Sequence, residues 1–169
     1  MTAAAVLRNT SLAITPELPS DRAAVEALVL AAFGPGRYAK TAERIREHAR
    51  MTLGLVAREG HGEGDRIVGS VHLWAVKVGE VSAVFLGPIT VDATCRKGGL
   101  GGDLVAACIE AARQDGVGGV LLVGDPPYFE RFGFVPAPDA ILPGPVDRRR
   151  VMWLPITSPV PTGPVIPVA

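Results

Sequence analysis

Residues 91–115 read VDATCRKGGLGGDLVAACIEAARQD, a short apolar strand running through an Arg-Lys-Gly-Gly-Leu-Gly-Gly turn into a helix. Leu100, Leu104, Val105, Cys108, Ile109 and Ala112 recur at three- and four-residue steps, which predicts one apolar helical stripe. Glu110, Arg113 and Gln114 fall outside it, and Gly116 ends it. Four of the seven residues 96–102 are glycine. Glycine lets backbone amides crowd toward a ligand, and the first N–H groups of a helix have no partner within it. With Arg96 and Lys97 just ahead, the turn formed by Gly98, Gly99, Leu100, Gly101 and Gly102 reads as an anion site suited to a pyrophosphate. The competing reading is a flexible loop with a poor helix start. Two glycines in a first turn cost about 1 kcal/mol each relative to alanine, so something must offset them. Asp103 suits the helix dipole but lowers the local positive potential.

Outward from this stretch, residues 83–91 form a nearly continuous apolar run, as expected of a central strand buried on both faces. Residues 119–123 follow the crossover helix and should run parallel to it. Residues 51–58 and 66–78 read as strands joined by a glycine-rich tip at 60–65, with the next strand directly after Gly79-Glu80; such close connections predict antiparallel pairing. Earlier still, residues 11–15 suit a first strand. Ser20 or Asp21 can then cap a helix carrying Val25, Leu28, Val29, Ala32 and Phe33 on one side. A second helix over 41–50 has only Ile45 and Ala49 as an apolar face, which predicts a surface position, and the loop 34–40 between the helices is free to line a cleft. Eleven of the fifteen prolines lie after Asp125, which excludes long helices there and restricts strands to short or edge positions. Residues 150–156 are the one strand expected in that region, and 158–169 an extended tail or edge cover. The fold class is therefore α/β, with a mixed, mostly antiparallel central sheet flanked by helices.

The 169 residues suit a single domain, with a core at about 11–156 and a proline-rich tail at 157–169. Lys plus Arg equals Asp plus Glu at 17 each, so no global field would recruit nucleic acid or an anionic membrane. The N-terminus has neither the basic region nor the apolar run of a signal peptide, and no stretch reaches the roughly twenty apolar residues of a membrane span, so the expected location is cytoplasmic. Cys95 and Cys108 form no disulfide framework, and no metal-ligand spacing is present.

The stretch resembles the GNAT acetyltransferases, whose acetyl-CoA motif, Arg/Gln-x-x-Gly-x-Gly/Ala, is met by Arg96, Gly99 and Gly101. Gly124-Asp125-Pro126-Pro127-Tyr128-Phe129-Glu130-Arg131-Phe132-Gly133-Phe134 resembles the second strand-loop-helix of that superfamily as its YhbS-like predicted acetyltransferases have it, and Leu142-Pro143-Gly144-Pro145 fits the same subgroup. The likeness spans residues 86–145. It implies a V-shaped splay between two parallel strands, with the pantetheine of acetyl-CoA lying along Ile89, Thr90 and Val91, the pyrophosphate on 96–102, and Tyr128 and Phe129 against the cofactor. It further implies direct transfer of an acetyl group to an amine of an acceptor, by a monomer or homodimer. The residues support this independently, since CoA carries both a pyrophosphate for the glycine turn and amides for a strand edge.

In such a reaction a strand N–H, that of Val91, would polarise the thioester carbonyl, and Tyr128 would protonate the leaving thiolate. The family's tyrosine stands four residues before the glycine of the Gly-Phe pair, which here is Phe129, one place after Tyr128. The alternative for Tyr128 is a ring packed under the cofactor. Asp125, at a strand end, and His72, mid-strand, are candidate bases, with water as the alternative; Asp-Pro is also an ordinary turn opener and His72 can be structural. Arg148-Arg149-Arg150 reads as a solvated face or a lure for an acidic substrate. Two other functions fit the same residues: a non-catalytic acyl-CoA-binding regulatory module, and a phosphate- or nucleotide-binding protein using the same helix start.

Overall fold

The computed structural model describes residues 12–34, 40–60 and 65–169. Strand β1 (Leu12–Pro16) leads through a 3-10 turn (Pro19–Asp21) into helices α1 (Arg22–Phe33) and α2 (Thr41–His48). Ser11 of the expected first strand lies outside the described residues, as do 35–39 of the interhelical loop and 61–64 of the hairpin tip. Asp21 precedes α1 but does not cap it. Its carboxylate accepts from the Leu18 N–H at 2.7 Å and forms a two-pronged pair with the Arg58 guanidinium. Only Val25 and Val29 of the expected α1 stripe are buried, against Val56 and Ile67, while Phe33 is exposed. The polar helix α2 sinks Ile45 completely, a burial worth about 1.5–3 kcal/mol.

Strands β2 (Met51–Glu59), β3 (Arg66–Val78) and β4 (Val81–Val91) form an antiparallel meander. Helix α3 (Leu100–Asp115) then crosses to β5 (Gly119–Val123), parallel to β4, and Gly116 closes the helix in the left-handed conformation at φ 68°. A short α4 (Pro126–Glu130) follows. Beyond it lie four strands where the sequence predicted one: β6 (Val135–Pro136), β7 (Ala140–Ile141), β8 (Val151–Pro155) and β9 (Gly163–Pro167). The additional strands are short or at margins, the only places proline permits. The sheet order is β1-β2-β3-β4-β5-β8-β6; β9 pairs with the end of β3 and also with β7.

Two apolar layers hold the sheet. On one face Leu104, Val105, Cys108 and Ala112 of α3 pack on Val71, Leu73 and Leu122. Gly69 seats the helix, because a Cβ there would lie 3.2 Å from both Leu100 and Leu104. Burial pushes the Cys108 thiol up to about 12, so it packs as a small apolar group. On the other face Ile45, Phe85, Leu121, Trp153 and Val165 form the second layer.

Candidate functional site: a splay between two parallel strands

Strands β4 and β5 pair at two positions only, Val84 with Val120 and Phe85 with Leu121. After Phe85 they part. A bulge sits at the same place, with Leu86 opposite Leu73 but Ile89 opposite Val71, so β4 carries an extra residue around Gly87-Pro88. Pro88 has no N–H to give a ladder, and Gly87 holds φ 139° with Arg46 Nη1 3.3 Å from the position a Cβ would take. The Trp74 indole N–H donates to the Gly87 carbonyl at 2.6 Å and fastens the bulge to β3. A Gly-Pro inside an apolar run was the available sequence signal for it.

Past the bulge, the alternation of the antiparallel ladder decides which peptide groups face the gap. Asp92 N–H donates to Val68 O at 2.7 Å, which makes Gly69 and Val91 a non-hydrogen-bonded pair, and Val71 and Ile89 another. The N–H and C=O of Ile89 and Val91 therefore point away from β3, to the side β5 has left. Those of Thr90 point at Ser70 instead, so of the three expected contacts Thr90 does not present its backbone to the gap. Its side chain is buried, and among the described residues its hydroxyl and that of Ser70 have no hydrogen-bond partner.

Strand β4 ends at the glycine turn. Asp92 accepts from the Thr94 N–H and hydroxyl at 2.9 and 2.7 Å and starts a 3-10 turn (Ala93–Gly98). Gly99, left-handed at φ 76°, is the residue before α3. Nothing among the described residues lies within 4 Å of where a Cβ would stand on Gly98 or Gly99. At Gly101 the nearest atom would be the Tyr128 hydroxyl, at 3.2 Å, and at Gly102 the Phe132 ring, at 3.5 Å. Gly101 thus eases the approach of Tyr128 from the segment after β5, a packing reason the sequence did not disclose, whereas a Cβ at Gly102 would make only ordinary contact with Phe132. The side chains of Arg96 and Lys97 lie outside what the structure describes. Arg131 lies on the aromatic segment that packs on these glycines, its guanidinium 4.5 Å from the Tyr128 ring centroid, a cation no sequence motif singled out.

The splay opens into a cleft of about 570 Å³. Leu86 to Ile89 and Leu122 to Asp125 form its strand walls, Phe129 one side, and the start of α2 with Pro145, Val146, Asp147 and Arg150 its mouth. Phe129 is fixed by Gly124, where a Cβ would lie 2.4 Å from its ring. Asp125 lines the cleft; its carbonyl receives the N–H groups of Tyr128 and Phe129 at 3.1 Å, and its carboxylate has no partner among the described residues. Tyr128 does not line the cleft. Neither does His72, whose Nε2 is 2.5 Å from Glu17 Oε2 in a separate hollow of about 160 Å³ against α1 and α2. Gly54 leaves the room that pair needs, since a Cβ would meet Glu17 at 2.6 Å. The arginine triplet divides: Arg148 and Arg149 pair with Asp139 and Asp147 on the surface, whereas Arg150 lines the cleft. The Arg149 guanidinium and N–H hold the Asp147 carboxyl below its ordinary range. Lys40, at the end of the loop expected to line a cleft, does so, and Phe33, Arg44 and Arg46 line it as well, unannounced by any local motif.

Residues 22–134 match the family described as "Acetyltransferase (GNAT) family". Over 123 residues, 72% of each chain, the sequence is 34% identical to the "Uncharacterized N-acetyltransferase YhbS" of Escherichia coli (strain K12). The crystal structure of YhbS from Escherichia coli in complex with CoA matches at a TM-score of 0.78 and 27% identity, over 94% of this chain and 90% of that one. A GNAT family acetyltransferase from Brucella melitensis in complex with acetyl-CoA matches at 0.71 and 27% identity, over 94% and 96%.

Proposed function

We propose that this chain, which belongs to the acetyltransferase (GNAT) family, transfers an acetyl group from acetyl-CoA to an amine. The observation that carries the reading is the continuity of three features: parallel strands that part after two residue pairs, Ile89 and Val91 peptide groups turned into the gap, and a glycine-rich helix start at the end of the same strand. Relatives that share the fold were crystallised with CoA or acetyl-CoA.

Acetyl-CoA supplies the activated acyl group as a thioester. Ile89 and Val91 bind its amide-bearing arm as they would an added strand. The first-turn N–H groups of α3, with Arg96, Lys97 and Arg131, hold the pyrophosphate. The Val91 N–H polarises the thioester carbonyl, and the cleft holds amine and thioester in one place. Asp125, or a water beside it, takes the proton of the amine, and Tyr128 keeps a proton for the leaving thiolate. No helix among the described residues is long and apolar enough to cross a membrane, and we place the reaction in the cytoplasm. A second reading, a CoA-binding module without turnover, draws on the Tyr128 hydroxyl lying over Gly101 and on Phe129 occupying the tyrosine's usual place.

Acetyl-CoA and desulfo-CoA should both raise the melting temperature with concentration, since a ligand at a hundred times its dissociation constant stabilises a fold by about 2.7 kcal/mol. Gly101→Val, whose side chain would crowd the Tyr128 hydroxyl and the helix start, should remove that rise. Melting unchanged by millimolar acetyl-CoA would reject the assignment. Binding without thiol release over a broad amine panel would leave the module.

A further inference from the structure

The mouth of the cleft is cationic although the chain as a whole is neutral. Lys40, Arg44, Arg46 and Arg150 line it, against the carboxylates of Asp125 and Asp147. Asp147 is engaged by Arg149, which donates to it through its backbone N–H, Nε and Nη2 at 3.0–3.1 Å. Arg46 is nearly buried beside Glu43, and its guanidinium packs on the bulge at Gly87. Arg44 differs. It is exposed, and among the described residues it makes no hydrogen bond or ion pair. Arg150 donates through Nε to the Gly124 carbonyl at 3.1 Å, which anchors it at the end of β5 and leaves its terminal nitrogens available.

These groups are held together by design of the fold. The Thr41 hydroxyl donates to the Pro145 carbonyl and ties the start of α2 to the segment leading to Arg150. Gly144 lets Arg44 approach that segment, because a Cβ there would lie 2.9 Å from its Nη1. Thr41 and Ala42, in the first turn of α2, face the same mouth, and among the described residues no side chain caps that helix. Arginines whose terminal nitrogens have no partner among the described residues, beside a helix start, favour an oxyanion, and the carboxylate of Asp125 stands at the splay where an amine must react.

We propose that the acceptor is an amine bearing an oxyanion, carboxylate or phosphate, with Arg44 and Arg150 binding the oxyanion while Asp125 faces the amine. This rests on the acetyl-transfer reading above. Phe33, Phe85, Leu86 and Val146 give the cleft apolar walls, so an aromatic or aliphatic body between the two groups fits.

The test is transfer from acetyl-CoA, read as free thiol, on matched pairs: phenylalanine with phenylalanine amide, leucine with leucine amide, and O-phosphoethanolamine with ethanolamine. The anionic member of at least one pair should have a kcat/KM at least tenfold above its partner, and the two oxyanions distinguish carboxylate from phosphate. Arg44→Gln should reduce that preference to threefold or less through KM, with kcat within about twofold. Independently of turnover, N-acetylphenylalanine or N-acetylleucine added with CoA should raise the melting temperature above that with CoA alone, whereas the corresponding amides should not. Equal or faster transfer to the neutral members throughout would overturn the acceptor assignment and leave acetyl transfer standing. A fall in acetyl-CoA affinity in Arg44→Gln would also overturn it, by assigning the cation to the cofactor. Absence of turnover on every amine while acetyl-CoA still stabilises the protein would reject acetyl transfer and the acceptor with it.

Discussion

Gly101 has no side chain, and the Tyr128 hydroxyl stands 3.2 Å from the point where its Cβ would be, with Val91 Cγ2 at 3.8 Å from the same point. The phenol is thus next to the strand residue whose N–H enters the gap, although it is absent from the cleft walls. In the acid role, Tyr128→Phe should lower kcat at least tenfold, general acids contributing about a hundred- to ten-thousand-fold, with acetyl-CoA affinity within about twofold. Tyr128→Ala should lose affinity as well, because the ring packs edge-on against Phe129 and beneath Arg131. Unimpaired turnover in the phenylalanine variant would remove the residue from the chemistry. Asp21 makes a prediction of a different kind. Hydrogen bonds from Arg58, followed by the Leu18 N–H, hold its carboxyl below the ordinary value against the opposing effect of burial. A depressed folded pKa contributes stability that is complete above the unfolded value, near 3.9, and is lost as pH falls through the folded one. Asp21→Asn should therefore cost about 1–3 kcal/mol at pH 7, and denaturant melts should show the gap from the parent closing below about pH 4.

Strand β9 shows what an element with four nearby prolines can still do. Its Val165 is 3% exposed, and Gly79 donates to the Pro164 carbonyl at 2.9 Å, so the segment covers the part of β3 that β2 does not reach. Gly163, at φ 116°, passes Gly79 so closely that a Cβ would lie 3.1 Å from its Cα. Truncation after Ser158 should lower the melting temperature by about 5 °C or more, since a loss of 1 kcal/mol moves a domain of this size by about 2–4 °C and Val165 alone buries about 1.5–3 kcal/mol. A melting curve that superposes on the full chain's would show the strand to be an ornament. The expectation of an edge cover was right in kind. Its pairing partner was hidden because proline weakens the local strand pattern and the partner lies some ninety residues away in the chain, a relation carried only by packing. The apolar stripe of α1 is narrower than its pattern for a related reason: periodicity reports a face without saying what covers it, and Phe33, at the end of that face, lines the cleft and not the core.

At the scale of the whole molecule, what was legible was whatever neighbouring residues determine. The alternation and apolar runs located the meander and the parallel crossover, and the glycines of 98–102 located the helix start. The cleft was legible on its strand walls, at the end of the loop before α2, where Lys40 lines it, and in the arginine triplet, of which Arg150 lines it. Its cationic mouth is assembled from α2 and from residue 150, joined by a bond between Thr41 and Pro145 across 104 positions, and no local pattern encodes such a meeting. Two pairs of residues, at Phe85 and just before it, are all that pair β4 with β5, the middle of the sheet. An unpaired strand edge at the margin of a sheet invites another protein's strand and so invites aggregation. Here the edges that part face each other inside the molecule, across a cleft that the start of α2 and the segment at Pro145 also line. An edge that would be a hazard at the margin of the sheet is, at its middle, shielded from the strands of other molecules.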